Sequence, residues 1–370
     1  MKISWLRSYS RRRYQYIIAF AILISGALIQ IHQYWWGLEI ERCVRSHGKA
    51  FISRRDILPE QLNSEFACKW FEPLQPVTGV LYVWSNAGRE LKTLRWSPSL
   101  NRLAFSSATD EGWGEISKLT QLRELSVKDS VPPIGVEAVK KLFRLKSLRL
   151  WVHPDNSNCI LAKELLQMPR LEEISFAHST QEPALDRERC NESMNRTLRI
   201  LAGLSTLRKI EFCDCYDSYL FALSERGSGR ENPFPNLSVI NVDGGIITKA
   251  GIDCLGKFPD LVELQLSNLN ADDSCLKSLR GFAGLQSLAI NGCVNVTDQS
   301  VMVIVQLTHL KVLNVRGTNI TACGVKQLSA LRNLKVLMVN EHQYDETLKE
   351  QFSTNCEIEI PKFYSTSSPL

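Results

Sequence analysis

The strongest constraint on the fold is an apolar pattern that recurs along most of the chain, from about residue 91 to residue 340. Each copy reads apolar residue, two variable residues, Leu, two variable residues, Leu or Ile, one variable residue and an apolar residue, as in LTQLRELSV at Leu119 and LTHLKVLNV at Leu307. A short strand with one apolar face cannot bury that face alone, so successive copies must stack on one another. The leucine at the fourth position marks the copies at Leu100, Leu122, Leu145, Leu171, Leu207, Leu237, Leu261, Leu285, Leu310 and Leu334.

A second set of apolar positions predicts a short helix before most strands. Leu276 and Leu279, for example, stand nine and six positions before Leu285, and a three-residue spacing places such residues on one face of a helix. Five of these segments begin with Thr or Asp, whose side chains can accept hydrogen bonds from unpaired N–H groups. Polar insertions at 178–195 and 217–233 lengthen two of the intervals. The predicted helix caps are Thr109, Thr248, Asp272, Thr297 and Thr321.

The repeat resembles the leucine-rich-repeat family. The copies LAINGCVNVTDQSVMVIVQL and LNVRGTNITACGVKQL are similar to its cysteine-containing and ribonuclease-inhibitor-like subtypes. The resemblance implies an α/β solenoid, with a curved parallel β-sheet on the concave side and short helices on the convex side. It further implies about ten repeats over 91–340, a C-terminal cap at 341–361 and a tail at 362–370. Residues 37–90 are then a linker and an N-terminal cap.

Residues 14–36 are predicted to form a single transmembrane helix that precedes the repeats. The segment spans 23 residues, reads IIAFAILISGALIQI in its centre and carries Tyr or Trp at both ends; about 20 residues cross the hydrocarbon core, and aromatic residues suit its interfaces. A cleaved signal peptide and a buried or peripheral helix are the alternatives, although no small-residue cleavage site follows. The basic flank at 1–13 favours a single-pass membrane location with a cytoplasmic N-terminus and a repeat domain outside the cytoplasm.

The net positive charge belongs to the region of the predicted anchor. Five of the 44 Lys and Arg residues lie in residues 1–36, which contain no Asp or Glu, so the rest of the chain has 39 basic and 39 acidic residues. Nucleic-acid binding normally requires a basic patch or stripe. We therefore predict no nucleic-acid partner, contact with the lipid bilayer through 14–36, and a monomeric repeat domain.

No pattern of catalytic or metal-binding residues stands out. The 11 cysteines include no CxxC pair, and a structural zinc site needs four ligands. Cys215 and Cys293 lie eight positions after their marker leucines, where the resemblance implies a residue that satisfies loop backbone groups. His153 and His178 fall near the same position and could touch, but structural roles are favoured over a Cys–His nucleophilic pair. Common phosphate-binding, protease and hydrolase motifs are absent, which predicts a non-enzymatic protein without cofactor or metal.

The predicted function is non-catalytic binding of an unknown protein, or another macromolecule, along the concave sheet of a membrane-tethered repeat domain. One alternative is an intracellular ubiquitin-ligase adaptor, because DILPEQLNSEF at 56–66 superficially resembles the start of an F-box. Another is a structural envelope or surface protein without a single ligand. Trp151 is the leading anchor, since interface hot spots favour Trp, Tyr and Arg. The candidate partner-binding residues are Trp151, Arg149, Glu124, Lys128, Glu173, Lys209, Glu211, Glu263, Asn314 and Arg316.

Overall fold

A computed structural model describes residues 50–54, 77–82, 87–96, 99–178, 184–225, 233–352 and 356–360. The predicted transmembrane helix at 14–36 and the F-box-like segment at 56–66 lie outside these residues. Within the described ranges, none of the helices has both the length and the apolar character that a bilayer crossing requires.

The chain divides into two compact units. The first comprises 1–126 with 137–144, and the second comprises 127–136 with 145–370. The strands are β1 (Ala50–Arg54), β2 (Val77–Tyr82), β3 (Arg102–Phe105), β4 (Glu124–Val127), β5 (Ser147–Trp151), β6 (Glu173–Ala177), β7 (Lys209–Tyr216), β8 (Val239–Ile246), β9 (Glu263–Ser267), β10 (Ser287–Ala289), β11 (Val312–Asn314), β12 (Val336–Met338) and β13 (Glu357–Glu359).

The second unit is built on parallel strands in chain order, from β5 to β13. Their register brings the same repeat position together in successive strands: Leu264 pairs with Leu288, and Leu288 pairs with Leu313. These three side chains are fully buried. The stacked strand-and-helix architecture of a leucine-rich-repeat solenoid is therefore present, and its ladder of leucines is the one that the sequence pattern predicts.

Short helices alternate with the strands. The α-helices are α1 (Asp110–Ile116), α2 (Pro133–Lys140), α3 (Ser157–Leu165), α4 (Ala184–Leu201), α5 (Asp217–Ser224), α6 (Lys249–Leu255), α7 (Asp273–Leu276), α8 (Val301–Ile304), α9 (Ala322–Gln327) and α10 (Leu348–Gln351). Segments of 3-10 helix occupy Arg89–Trp96, Lys277–Gly281, Asp298–Ser300, Leu328–Ala330 and Glu341–Gln343. Leu276 and Leu279, the two apolar helix positions named from the spacing, are buried.

All five predicted helix caps are confirmed. Thr109 Oγ1 accepts a hydrogen bond from Gly112 N, and Thr321 Oγ1 accepts one from Gly324 N. Asp272 accepts from two backbone N–H groups. Such side chains satisfy the donors that the first helical turn leaves unpaired. Thr248 and Thr297 cap their helices in the same way.

The caps also join one repeat to the next, which the sequence pattern alone does not show. The Asp298 carboxylate accepts from Thr321 N at 2.8 Å and from Thr321 Oγ1 at 2.7 Å. Asp273 holds Thr297 in the same arrangement, at 2.9 and 2.7 Å. Because a threonine hydroxyl both donates to the preceding repeat and accepts from its own helix, each such helix start is fixed by two neighbours.

A left-handed backbone turn follows several strands, seven positions after the marker leucine. Gly245 lies one residue beyond this position with a φ of 106°, and a Cβ there would come within 2.0 Å of the Cys215 carbonyl oxygen. Gly292 has a φ of 75° against the side chain of Asn268. Only glycine adopts such angles without strain while allowing so close an approach. Gly245 therefore allows β8 to lie against Cys215 of β7, and Gly292 allows its turn to lie against Asn268.

The two polar insertions are accommodated by helices rather than by loops alone. Helix α4 extends over 18 residues, with Cys190, Met194 and Leu198 buried along one face. In the second insertion, α5 buries Tyr219 and Leu223. Residues 179–183 and 226–232, which belong to the two insertions, lie outside the described residues.

The first unit adds a parallel strand that the repeat pattern did not identify. Strand β2 pairs in parallel with β3, with Val80 opposite Leu103, and β1 pairs with β2 in the antiparallel direction. Val80 thus occupies the strand position of a further copy before Leu100. The segment VTGVLY has valine at 77 and 80, where the later copies have leucine or isoleucine. The repeat pattern therefore begins only at residue 91.

Gln343 closes the described C-terminal repeat. Its side chain is fully buried and donates to Val315 O, Thr318 Oγ1 and Ile320 O at 3.3, 3.1 and 3.0 Å. Strand β13 then pairs with β12. The two N–H groups of this buried amide are thus shared among acceptors of the preceding repeat.

Truncation of the leucine ladder should be strongly destabilising. We expect Leu288→Ala to lower the free energy of unfolding by about 2–5 kcal/mol, because a buried leucine loses both its transfer energy and its packing. Met302→Ala is the matched control, since Met302 is 61% exposed on α8, the helix that follows β10. This substitution should change the free energy of unfolding by less than about 0.5 kcal/mol. Urea unfolding followed by circular dichroism measures both; equal losses would contradict a continuous core.

Candidate partner-binding face

The candidate surface is the face of the second unit's sheet that carries the alternating, non-core strand residues; we call it the open face. Its side chains stand two, four and six positions after each marker leucine, between buried residues. Most are half-buried or exposed, whereas Ser175, Ala177 and Ser267 are buried. From β5 to β9 the face comprises Ser147, Arg149, Trp151, Glu173, Ser175, Ala177, Lys209, Glu211, Cys213, Val239, Asn241, Asp243, Glu263, Gln265 and Ser267.

Glu211 on β7 is the centre of a hydrogen-bond network on this face. Its Oε2 accepts from Ser175 Oγ on β6 at 2.6 Å and from Arg149 Nη2 on β5 at 3.2 Å. Its Oε1 accepts from Asn241 Nδ2 on β8 at 3.2 Å and forms an ion pair with Lys209 Nζ at 2.7 Å. Four neighbouring strands are therefore joined through one carboxylate. Arg149 reaches Glu211 because the intervening residue on β6 is the small Ser175.

The network fixes the charge state of its members. Burial works to raise the pKa of Glu211, but hydrogen bonds from Lys209, Ser175 and Asn241 outweigh it and lower that pKa to about 2. Burial works to lower the pKa of Lys209, but the contact with Glu211 and the charges of Glu173 and Glu263 raise it. Both groups remain ionised at neutral pH, so the network is a salt bridge reinforced by neutral donors.

Trp151 and Lys128 lie at the edge of the sheet where the parallel strands end. Trp151 is half-buried at the end of β5, and its carbonyl oxygen accepts from Asn158 Nδ2 at 2.9 Å. Lys128 is exposed just after β4, and His153 Nε2 lies 2.9 Å from its carbonyl oxygen. These backbone contacts fix the turns while leaving the Trp151 and Lys128 side chains part-exposed.

The remaining candidates are spread over the sheet. Glu124 belongs to the first unit, where it pairs with Arg102 at 2.6 Å. Asn314 on β11 donates to Asn291 at 3.3 Å. Arg316 Nη2 donates to Glu359 O at 3.1 Å, on β13. The structure thus brings Arg149, Lys209 and Glu211 together, and it places Asn314 and Arg316 in a separate group near the C-terminal end.

Sequence reasoning missed the residues that complete these groups. Ser175, Asn241 and Glu359 were absent from the candidate set, although each binds a member of it. The repeat register places Ser175 and Asn241 on the same strand face as Arg149 and Glu211, four positions after their markers, but it does not predict their hydrogen bonds to Glu211. Glu359 gave no such signal, since β13 lies beyond the last marked repeat.

The contacts of the cysteines and histidines that follow the strands favour structural roles for these residues. Cys215 is fully buried, and burial raises its pKa far above the usual range. Burial raises the pKa of Cys293 to about 11, and its Sγ lies 3.0 Å from Leu266 O. His178 Nε2 lies 2.7 Å from the Tyr219 hydroxyl, whereas His153 faces the Lys128 backbone, so the two histidines have different partners. The thiolate that a nucleophilic site needs is disfavoured at both cysteines.

None of the nine cysteines whose surroundings are described forms a disulfide bond with another described residue. Cys254 on α6 is half-buried and Cys275 on α7 is buried. Across the described ranges, no three His, Cys, Asp or Glu side chains converge in a way that could hold a metal ion.

Comparison with known proteins gives little beyond this geometry. No protein-family model matches the chain, and no curated protein matches it. Among solved structures, the chain is similar to an internalin from Listeria monocytogenes, with 14% sequence identity, a TM-score of 0.41 and coverage of 76% of this chain and 86% of the internalin. Similarity at this level does not show a family.

The charge of Glu211 should make stability depend on pH in a defined window. Its folded-state pKa lies below the usual value of 4.5, so its contribution is complete above about pH 4.5 and is lost as the pH falls towards 2. We expect Glu211→Gln to lower the free energy of unfolding at pH 7 by about 1–2 kcal/mol, after allowance for solvent screening of a part-exposed group.

Below pH 4.5 the stability of the wild type should approach that of the Glu211→Gln variant. Chemical unfolding at a series of pH values measures this difference. Glu188→Gln, at an exposed position on α4, is the control and should follow the wild type throughout. A constant gap between wild type and Glu211→Gln across this window would contradict the role of the carboxylate.

Proposed function

We propose that the chain is a non-catalytic binding protein that docks a protein partner on the open face of β5–β9. The observation that carries this proposal is the Glu211 network, which fixes polar side chains from four strands on a face with part-exposed neighbours. A surface whose side chains are already ordered loses less conformational entropy on association than a mobile one. Rigid presentation of polar groups is what a selective docking surface needs.

Trp151 is the proposed anchor of this surface. It stands at the end of β5, in the same strand as Arg149, which extends from the network. Tryptophan contributes large apolar area with few rotatable bonds, and interface hot spots are enriched in it. The polar network and the tryptophan together resemble an apolar anchor beside a polar rim.

We further propose that residues 14–36 tether the repeats to a membrane, with the N-terminus cytoplasmic and the repeats on the other side. The support is the apolar length of the segment, its flanking aromatics and the basic flank at 1–13. The alternative function, a ubiquitin-ligase adaptor, requires the repeats to face the cytosol. Protease accessibility separates the two arrangements, with a tag placed in the repeats and sealed vesicles whose cytoplasmic face is outward. A tag that is protected from added protease supports the tethered arrangement.

Loss of the Trp151 side chain should weaken partner binding. A photo-crosslinking amino acid placed at position 151 in the full chain identifies the partner in its native cell, and the same amino acid at Ile160 reports background, since Ile160 is 52% exposed on α3. The affinity of the identified partner is then measured for Trp151→Ala and Ile160→Ala.

We expect Trp151→Ala to weaken that affinity by about 10- to 30-fold, the effect of removing about 1.4–2 kcal/mol. Ile160→Ala should change it by less than about twofold. Equal affinities of wild type and Trp151→Ala would refute the assignment of the docking surface, and stronger crosslinking from position 160 than from 151 would place the interface on the helices instead.

A further inference from the structure

We propose that the partner segment recognised by the open face of β5–β9 is cationic: a lysine- or arginine-rich stretch that lies across these strands. The inference rests on the proposed function and adds the chemistry of the partner to it. Two kinds of side chain on this face select the same ligand, namely carboxylates that form no ion pair with another described residue and a part-exposed tryptophan.

The face has more carboxylates than cations, and its cations are already engaged. Arg149 and Lys209 both bind Glu211. The charges that remain are those of Glu173, Asp243 and Glu263. Along the sequence the charged residues of these strands are mixed, and it is the contacts with Glu211 that occupy both cations.

The three remaining carboxylates retain acceptor capacity. Glu173 and Asp243 are exposed and Glu263 is half-buried, and among the described residues none of the three forms an ion pair at contact distance. Asp243 accepts one hydrogen bond, from Asn268 Nδ2 at 2.7 Å. A carboxylate offers about four lone-pair sites. Each can therefore accept from a lysine or arginine of a partner, in the charge-assisted form that is strongest.

Trp151 is an independent recognition element for the same chemistry. It lies on the strand at one side of the face and is not part of the carboxylate group. The face of an indole ring attracts ammonium and guanidinium groups, more strongly than other aromatic rings do. A cation at Trp151 and cations at the carboxylates would belong to one continuous segment.

The strand spacing sets the length of that segment. Strands β5 and β9 are four steps apart in the sheet, about 19 Å at roughly 4.8 Å per step. An extended chain covers this distance with about six residues. The same charge distribution disfavours nucleic acid, because phosphates would face carboxylates across the interface.

The inference is tested with defined peptides and the full chain. The probe is a fluorescent eight-residue peptide of alternating Lys and Ser, and the comparison peptide alternates Glu and Ser; binding is followed by fluorescence anisotropy at low salt. The main variant is the double substitution Glu173→Lys with Glu263→Lys. The matched control is Glu188→Lys with Glu350→Lys, which makes the same change of charge at exposed helical positions.

We expect the wild type to bind the lysine peptide and not the glutamate peptide. The Glu173/Glu263 reversal should weaken binding at least tenfold, and the Glu188/Glu350 control should stay within about twofold of wild type. Glu173→Gln with Glu263→Gln, which neutralises without reversal, should weaken binding about threefold and guards against misfolding of the reversal variant. Unfolding curves should show that every variant is folded under the conditions of the binding assay.

Three outcomes would overturn the inference: no binding of the lysine peptide by wild type, equal binding of the two peptides, or equal losses in the reversal and control variants. The last would show attraction by bulk charge alone. A native partner that depends on Trp151 but is indifferent to the Glu173/Glu263 reversal would refute the cationic inference and leave the proposed function standing. Indifference of the native partner to Trp151→Ala would refute the proposed function itself.

Discussion

The structure depends on one constraint: no repeat can bury its own strand. A strand of three to eight residues exposes its inner apolar side chains unless another strand lies beside it and a helix closes the other side. The register of Leu264, Leu288 and Leu313 satisfies this condition for one repeat after another. Stability is consequently shared between neighbours, and the core has no centre that a single residue controls.

The constraint leaves the opposite face of each strand free to vary. Because side chains alternate across a strand, every inner residue that the core requires is flanked by residues that it does not. Parallel register then aligns these free positions as it aligns the leucines. Arg149, Ser175, Glu211 and Asn241 meet for this reason: each stands four positions after its marker, so stacking of the core brings them into one row.

The charge that this face presents therefore depends on which residues of neighbouring strands lie at the same repeat position. Lys209 stands beside Glu211 in the structure, with Glu173 and Glu263 in its own row on other strands. Its attraction to all three carboxylates removes it from the groups available to a ligand. Mixed composition along the chain becomes an uneven distribution in space: an acidic face arises although residues 37–370 contain 39 basic and 39 acidic residues.

The sequence was sufficient for what is periodic and local. The leucine ladder, the helical stripes and the five caps could be predicted because each follows from residue type and spacing over a few positions. Strand β2 could not, because VTGVLY lacks the defining leucines, and the helical character of the insertion at α4 was hidden by its polar composition. These features depend on what lies beside them in the folded chain.

By itself, then, the sequence determined that strands and helices must alternate and stack, since apolar periodicity leaves no other way to remove those side chains from water. Only the tertiary structure decided which polar residues meet. The Glu211 network includes a hydrogen bond between residues 62 positions apart, Arg149 and Glu211. Hydrogen bonds form over about 3 Å, and which residues come that close depends on the register of the strands and cannot be read from separation along the chain.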